Sequence, residues 1–260
     1  MAGTFLRSRL AHPLTKGLSV DDPATTELRR SIIQSKSSLA GIYRDWYREI
    51  LLRLPDGPQK VLELGSGAGF LRSTISQLIT SDVLRIRGVN VIADATRLPL
   101  AGASLRAIVM VNVFHHLMDS RRFLAEASRC VVPSGAICMV EPWVSCWSKQ
   151  VYAFHSEPFD PGMRDWALPH GGPLTSGNGA LPWIVFHRDR ATLEMDFPAW
   201  ELEEIRPMMP FRYLLSGGVS LRQLAPSWAF GSVAALERAL DPFLDHLAMF
   251  ALIVLRRRPV

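Results

Sequence analysis

The chain has 260 residues, of which 48% are hydrophobic, and it carries a formal net charge of +5. This length suits one large domain or a domain with a cap. No apolar run reaches the length needed to cross a bilayer, since the longest candidate, Met249 to Leu255, is short and runs into three arginines. The start lacks the apolar core and cleavage site of a signal peptide, so we predict a cytoplasmic protein.

Cysteine usage and charge distribution exclude further classes. The three cysteines, Cys130, Cys138 and Cys146, include no C-x-x-C pair, and no His/Cys cluster has metal-ligand spacing. We therefore predict no metal site. The arginines are scattered, and no basic stripe interleaves with aromatic residues, so nucleic-acid binding is not expected.

The N-terminal residues 1–57 are predicted to form an arm and a helical cap. Residues 1–35 are polar and fit an arm or a short helix. From Leu39 to Ile50 the apolar residues recur on one helical face, with Ser37 or Ser38 as the N-cap, and Pro55 to Pro58 stop the helix. Tyr43 and Tyr47 on this helix either pack in the core, which we favour, or touch a ligand.

Residues 61 to 69 are the most informative part of the chain. An apolar run that includes Glu63 leads into glycines at alternate positions, Gly65, Gly67 and Gly69. Phe70, Leu71, Ile75 and Leu78 then recur at helical spacing, which predicts a strand, a tight turn and a helix. Such a turn lets backbone N–H groups approach a nucleotide. A dinucleotide fingerprint would need a third glycine where Phe70 stands, which disfavours an NAD-dependent oxidoreductase.

The pattern E-x-G-x-G-x-G resembles motif I of the class I S-adenosylmethionine (SAM)-dependent methyltransferases. In that family the glycine loop packs under the methionine and ribose parts of SAM, and the acid orients the amino end. The resemblance implies SAM as the cofactor and a site that includes Glu63, Gly65, Ser66, Gly67 and Gly69. A plain strand–turn–helix without a ligand is the alternative.

Two acids follow at the positions the resemblance requires. Asp82 ends a predicted strand, Leu78 to Asp82, about 20 residues after Glu63, where an open α/β sheet presents a carboxylate to a ribose. A turn aspartate is the alternative. A third strand ends at Asp94, and the run from Asp94 to Leu100 resembles the family's D-A-x-x-L-P-F stretch. The resemblance implies that Asp94 and the N–H of Ala95 meet the adenine.

The next strand, Leu105 to Val111, is continuously apolar, as a sheet buried on both faces requires. It leads into a run that resembles the family's polar residue followed by L-H-H-L, which implies that Asn112 and Val113 lie beside the methionine part of SAM. His115 and His116 are adjacent and would point apart on a regular element. An amphipathic helix is predicted over Arg121 to Val132, and a fifth strand over Ala136 to Val140, closed by Glu141.

Residues 146–199 are predicted to be a substrate lid between the fifth and sixth strands, because the stretch is rich in tryptophan, proline and glycine. An aromatic lid over the carboxyl ends of the strands suits an apolar or flat acceptor. Residues 200–260 are predicted to hold strand six, Trp200 to Met209, a helix over Leu236 to Leu247, and a last strand, Met249 to Leu255.

The sequence therefore predicts an α/β fold, a Rossmann-like seven-stranded, mainly parallel sheet with residues 58–145 as its SAM-binding core. The expected function is methyl transfer to a small-molecule acceptor; the methylated atom and the oligomeric state are not predicted. An RNA-modifying methyltransferase and a SAM-binding subunit without catalysis are the alternatives. An oxygen or nitrogen acceptor often needs a base, for which His115, His116 and His155 are the candidates, with Glu157 beside the last.

Overall fold

The computed structural model describes residues 19, 21–69, 71–154, 157–169 and 171–259. Seven strands form one sheet in the order β3-β2-β1-β4-β5-β7-β6. The strands are β1 Lys60–Leu64, β2 Leu78–Asp82, β3 Val91–Ile92, β4 Leu105–Val111, β5 Val131–Pro142, β6 Trp200–Met208 and β7 Phe250–Arg257. Only β7 runs against its neighbours, pairing antiparallel with both β5 and β6. The prediction of a seven-stranded, mainly parallel sheet is confirmed.

Helices cover both faces of this sheet. The described helices are α1 Pro23–Ser35, α2 Ser37–Leu51, α3 Ser120–Cys130, α4 Cys146–Tyr152, α5 Leu181–Trp183, α6 Arg190–Asp196, α7 Arg212–Ser216, α8 Phe230–Ala239 and α9 Leu244–Leu247. A π-helical stretch, Ile184–Arg188, follows α5. Among the described residues, no helix combines the length and the apolar character needed to cross a membrane.

The central strands are apolar because they are covered on both faces. Side chains of β4, β5 and β7 alternate between two buried clusters. One cluster packs under α3 and the segment around Phe186, and the other packs under α2, where Trp46 meets Phe250 and Tyr213. These two layers fix the carboxyl ends of β1, β4 and β5 at one edge, which is where an open α/β sheet binds its ligands.

The predicted helix after the glycine turn is wrong. The chain makes two short 3-10 turns, Ser66–Ala68 and Leu71–Ser73, and Leu78 already belongs to β2. Leu71 and Ile75 are buried as their spacing predicted, but no α-helix presents its amino terminus to the turn.

Three other predictions need correction. Helix α1 is longer than the predicted arm or short helix, and the N-cap of α2 is Lys36, with no side-chain cap, rather than Ser37 or Ser38. The predicted helix over 236–247 is broken, since a 3-10 turn at Asp241–Phe243 separates α8 from α9. Pro242 explains the break, because proline lacks the N–H that a continuous helix needs.

Candidate functional site

A cavity of about 420 Å³ lies at the carboxyl ends of the strands, within the range of small-molecule sites. Helices α1 and α2 and the segment after α7 cover it. We call the part beside β1, β2 and β3 the glycine-loop end; its walls include Gly65, Gly67, Asp82, Asp94 and Ala95. We call the part beside β4, β5 and β7 the histidine end; its walls include His115, His116, Tyr152, Glu157, Tyr213 and Phe250.

The glycine turn needs its first glycine for steric reasons. Gly65 has φ 64°, and a Cβ there would lie 2.4 Å from Cγ2 of Val113. Gly67 lines the cavity, and a Cβ there would come within 2.9 Å of Cγ2 of Thr26 on α1. Any side chain at position 67 would therefore fill space between α1 and the turn.

The side chain of Ser66 stabilises this turn from behind, away from the large cavity. Its buried hydroxyl donates to the Glu63 carbonyl oxygen at 3.0 Å and accepts from the Ser81 amide at 3.1 Å. It thereby ties the turn to β2. Gly69 also lies outside the large cavity and lines a smaller one of about 110 Å³ together with Ser66.

Glu63 is buried directly beneath the glycine turn. The hydroxyl of Tyr47 donates to its Oε1 at 2.8 Å, and its Oε2 has no hydrogen-bond partner among the described residues. Burial raises the pKa of the Glu63 carboxyl, and the hydrogen bond from Tyr47 opposes that rise. An acceptor atom left unsatisfied in this way is costly unless a ligand completes it.

Asp82 and Asp94 both line the glycine-loop end. Asp82 is buried at the end of β2, where burial raises its pKa and the amide of Leu84, 3.0 Å from Oδ1, opposes the rise. Among the residues that the structure describes, Asp94 accepts only through Oδ1, from the amide and the hydroxyl of Thr96 at 2.8 Å each. Both carboxylates therefore retain capacity to accept from a ligand.

Asn112 and Val113 follow β4 at the middle of the cavity. Asn112 has a left-handed backbone with φ 56°, its amide donates to the Val140 carbonyl at 2.9 Å, and its side chain is hydrogen-bonded to Tyr43. Burial raises the pKa of the Tyr43 phenol to about 12. Tyr43 and Tyr47 thus pack in the core as predicted and also line the cavity.

A fully buried carboxylate, Glu141 at the end of β5, organises the turn that carries the histidines. Its Oε1 accepts from the amides of Val113 and Phe114 at 2.8 Å each, and its Oε2 lies 2.6 Å from Nδ1 of His115. The 3-10 turn Phe114–His116 is thereby fixed against β5.

Both histidines of this turn approach one carboxylate. Oε1 of Glu157 lies 3.3 Å from Nε2 of His115 and 3.0 Å from Nε2 of His116. The expectation that His115 and His116 point apart is therefore wrong, because they lie on a 3-10 turn and their rings are tilted 39° with centroids 4.2 Å apart. His115, His116 and Glu157 also form a group whose ligand atoms lie within 4.8 Å of one another, which the spacing of these residues in the sequence did not indicate.

The pKa values of the two imidazole rings are shifted in opposite directions. Burial alone would lower the pKa of His115, but the charges of Glu157 and Glu141 and their hydrogen bonds outweigh it and raise that pKa to about 10. Burial and the neighbouring charge of His115 lower the pKa of His116 to about 4.

The structure brings most of the sequence-predicted residues to one cavity. Glu63, Ser66 and Gly69 lie outside its wall, and His155 falls outside the described residues. The wall is formed by the other predicted residues: Gly65, Gly67, Asp82, Asp94, Ala95, Asn112, Val113, His115 and His116.

Sequence reasoning missed several residues and overvalued others. The sequence analysis places Glu141 at the end of a strand and assigns it no role. An acid directly after a buried strand could have indicated a residue of the site. Arg29 of α1 also lines the cavity, and its charge opposes the burial-driven rise in the pKa of Tyr43 and Tyr213. The tryptophans of the predicted lid, Trp147, Trp166 and Trp183, do not line the cavity, and Trp166 is buried in the core.

Comparisons with known proteins agree with this geometry. Residues 62–139 match the sequence profile of the methyltransferase domain family. No curated protein sequence matches the chain.

Solved structures share the fold at low sequence identity. The chain is similar to the cyclase SpnF, with 13% identity over 92% of this chain and 94% of that one and a TM-score of 0.53. It is also similar to a Haloferax volcanii structure described as a complex between the Trm112 methyltransferase activator and a methyltransferase, with 14% identity, coverage of 93% and 98%, and a TM-score of 0.52. One of these proteins is named as a cyclase, so the fold alone does not decide the reaction.

Proposed function

We propose that the chain is a class I SAM-dependent methyltransferase and that it methylates a small molecule with an apolar or aromatic body. The observation that carries this proposal is the wall of the histidine end. Its apolar and aromatic members come from α4, α7 and β7 and include Val151, Tyr152, Tyr213, Leu214 and Phe250. Such a wall buries a flat or aliphatic acceptor, and the few polar side chains among it set the orientation.

The glycine-loop end suits SAM. Glu63 has a buried oxygen without a partner, which suits an ammonium group, and Asp82 is the buried acid that suits ribose hydroxyls. Asp94 and the Ala95 amide are proposed to bind the adenine, and Gly65, Gly67, Asn112 and Val113 the methionine part. Ser66 and Gly69 are proposed to support the turn rather than to touch the cofactor.

Bound by these residues, SAM would supply its methyl group to an acceptor in the histidine end of the same cavity. SAM supplies a methyl carbon on a sulfonium, whose C–S bond breaks, with sulfur keeping the electron pair, as the acceptor forms its own bond to carbon. The protein holds the acceptor in line and excludes water. His115 and His116 are the described polar side chains best placed to act on the acceptor atom.

The RNA-modifying alternative has less support. Arg29 and Arg30 are the arginines that line the cavity, no lysine does so among the described residues, and both arginines belong to α1. A nucleic-acid channel would carry positive charge along its length together with exposed stacking residues. The alternative of a subunit without catalysis predicts normal SAM affinity and no turnover on any acceptor.

The test is a methyl-transfer screen with SAM labelled in its methyl group. Purified protein is incubated with phenols, aromatic and aliphatic carboxylic acids, amines and total RNA, and the label is followed into each product. We expect transfer to one small-molecule class and none to RNA. Transfer to RNA alone, or SAM binding without transfer to any acceptor, would contradict the proposal.

Gly67→Val supplies the matched inactive protein for this screen. A valine at position 67 would fill the space between the turn and Thr26 that the cofactor is proposed to use, so we expect SAM binding to fall at least 100-fold in calorimetry. Gly231→Val is the control, because a Cβ at Gly231 meets nothing within 4 Å. Equal SAM affinity in both variants would contradict the assignment of the turn.

A further inference from the structure

The histidine end contains three potential metal ligands from two separate parts of the chain. His115 and His116 come from the turn after β4, and Glu157 comes from the loop after α4. Oε1 of Glu157 lies 3.3 Å from one Nε2 and 3.0 Å from the other. Ligand atoms about 2.0–2.1 Å from one metal ion would be separated by about 2.9 Å in an octahedral and about 3.4 Å in a tetrahedral site, so the observed separations fall in this range.

The hydrogen bonds behind the rings fix which nitrogen faces the carboxylate. Nδ1 of His116 lies 3.0 Å from the carbonyl oxygen of Ser176, which can only accept, so Nδ1 carries the hydrogen. Nδ1 of His115 lies 2.6 Å from Oε2 of Glu141, which favours the same tautomer. Nε2 is therefore the nitrogen that each ring turns towards Oε1 of Glu157, and a metal ion that binds there would displace the proton that the raised pKa keeps on His115.

A histidine that binds a metal ion through one ring nitrogen usually donates a hydrogen bond from the other nitrogen to a carboxylate or a carbonyl oxygen. The backbone at Gly177 encloses the group on one side, because a Cβ there would lie 2.9 Å both from Oε1 of Glu157 and from Nδ1 of His116. The charge is also suitable, since the Glu141 and Glu157 carboxylates adjoin the rings and the Asp21 carboxylate is close enough to His116 to interact with it.

We propose that His115, His116 and Glu157 bind a divalent transition-metal ion of the Zn²⁺, Mn²⁺ or Co²⁺ type at the histidine end of the cavity. Imidazole ligands favour these ions over Mg²⁺ or Ca²⁺. Three protein ligands leave at least one coordination position open, and the three side chains line the cavity, so that position faces its interior. Resting on the proposed function, we assign this position to an oxygen of the acceptor, such as a phenol or carboxylate oxygen.

The test measures metal binding by the whole chain, without SAM or acceptor. Protein stripped with a chelator is titrated with Zn²⁺ by calorimetry and with Co²⁺ by visible absorption, whose intensity reports the coordination geometry. We expect one equivalent per chain. His116→Asn, which removes Nε2 but keeps a donor for the Ser176 carbonyl, and Glu157→Gln should each weaken binding at least tenfold.

Two controls make the result decisive. His246→Asn removes an exposed histidine of α9 and should leave Zn²⁺ affinity unchanged. Circular dichroism establishes that each variant is folded. The proposal is overturned if the stripped protein binds neither ion stoichiometrically, in which case a proton on His115 neutralises the group, or if the site variants bind like the native chain. Either failure leaves the methyl-transfer screen unaffected, so the two proposals fail separately.

Discussion

At the scale of single residues, Glu63 is expected to lower the stability of the free protein and to raise its affinity for the cofactor. The buried carboxyl has a raised pKa and one oxygen without a partner, so the ionised form destabilises the protein when no ligand is bound. A cofactor ammonium would satisfy that oxygen. The acid is therefore expected to cost stability in the absence of SAM and to contribute affinity in its presence.

Glu63→Gln tests this division. Because burial raises the folded-state pKa of Glu63 above its ordinary value of 4.5, the glutamate's contribution to stability is full below that pH and is lost as pH rises through the folded pKa. We expect the variant's urea midpoint to rise relative to the native protein as the pH is raised above that ordinary value. SAM affinity should fall at least tenfold, since a charge-assisted hydrogen bond contributes about 1.5–3 kcal/mol. A variant that is destabilised at pH 7 with unchanged SAM affinity would contradict both roles.

Asp94, Ala95 and Asn112 show what residue patterns can predict. Each lies within three residues of the end of a strand, so its place at the sheet edge is fixed once the strand is assigned, and the structure puts all three in the cavity wall. Arg29 could not be found this way, because it reaches the cavity from a helix whose docking depends on tertiary contacts.

At the scale of elements, α1 is held across the glycine turn. Nε of Arg30 donates to the carbonyl oxygen of Gly67, and the aspartate Asp21 before the helix accepts from the amides of Leu174 and Thr175. The helix is thus attached at both ends to segments that line or adjoin the cavity. Its position should affect the cofactor more than the stability of the sheet.

Arg30→Leu is expected to loosen α1. Hydrogen exchange of the amides in 23–35 should accelerate while that of β4 and β5 stays unchanged, because loss of one surface-side bond opens the helix locally. SAM affinity should fall several-fold. Arg48→Leu, an exposed arginine of α2, is the control and should change neither quantity. Uniform acceleration across the sheet would instead mean that Arg30 supports the global fold.

The missing helix after β1 has a geometric reason. β1 has five residues and spans about 17 Å, and the chain must return over that length before β2 begins at Leu78. Gly69 has a left-handed φ of 70°, which an α-helix does not contain, so a helix could begin only after it, and residues 71–77 as an α-helix would cover only about 10 Å. The apolar spacing of Leu71 and Ile75 indicated burial correctly, but the length of the connection, which periodicity does not measure, decided the conformation.

At the scale of the whole molecule, cofactor binding should raise the unfolding temperature. A ligand that binds only the folded state stabilises it by about 2.7 kcal/mol at 100 times its dissociation constant. For a domain of this size such a gain raises Tm by roughly 5–10 °C. Differential scanning calorimetry with saturating SAM should show this rise in the native chain and not in Gly67→Val.

Scanning with NADH in place of SAM is the specificity control, and Tm should then stay where it is without ligand. A rise with NADH and none with SAM would contradict the assignment of the cofactor. The alternation of apolar runs and turns predicted the strands of the sheet, but the helices that cover the cavity were assigned poorly, because they depend on contacts between distant parts of the chain.

The ammonium of Lys36 makes one such contact, donating to the carbonyl oxygens of Ser216, Gly218 and Leu221 at 3.2, 2.7 and 2.5 Å. During synthesis, Lys36 therefore meets these partners only after some 180 further residues have been added. Until then the segment after α7, which lines the cavity, cannot cover it. We therefore expect the binding site to be among the last parts of the protein to fold, so that SAM binds completed chains more tightly than partial ones.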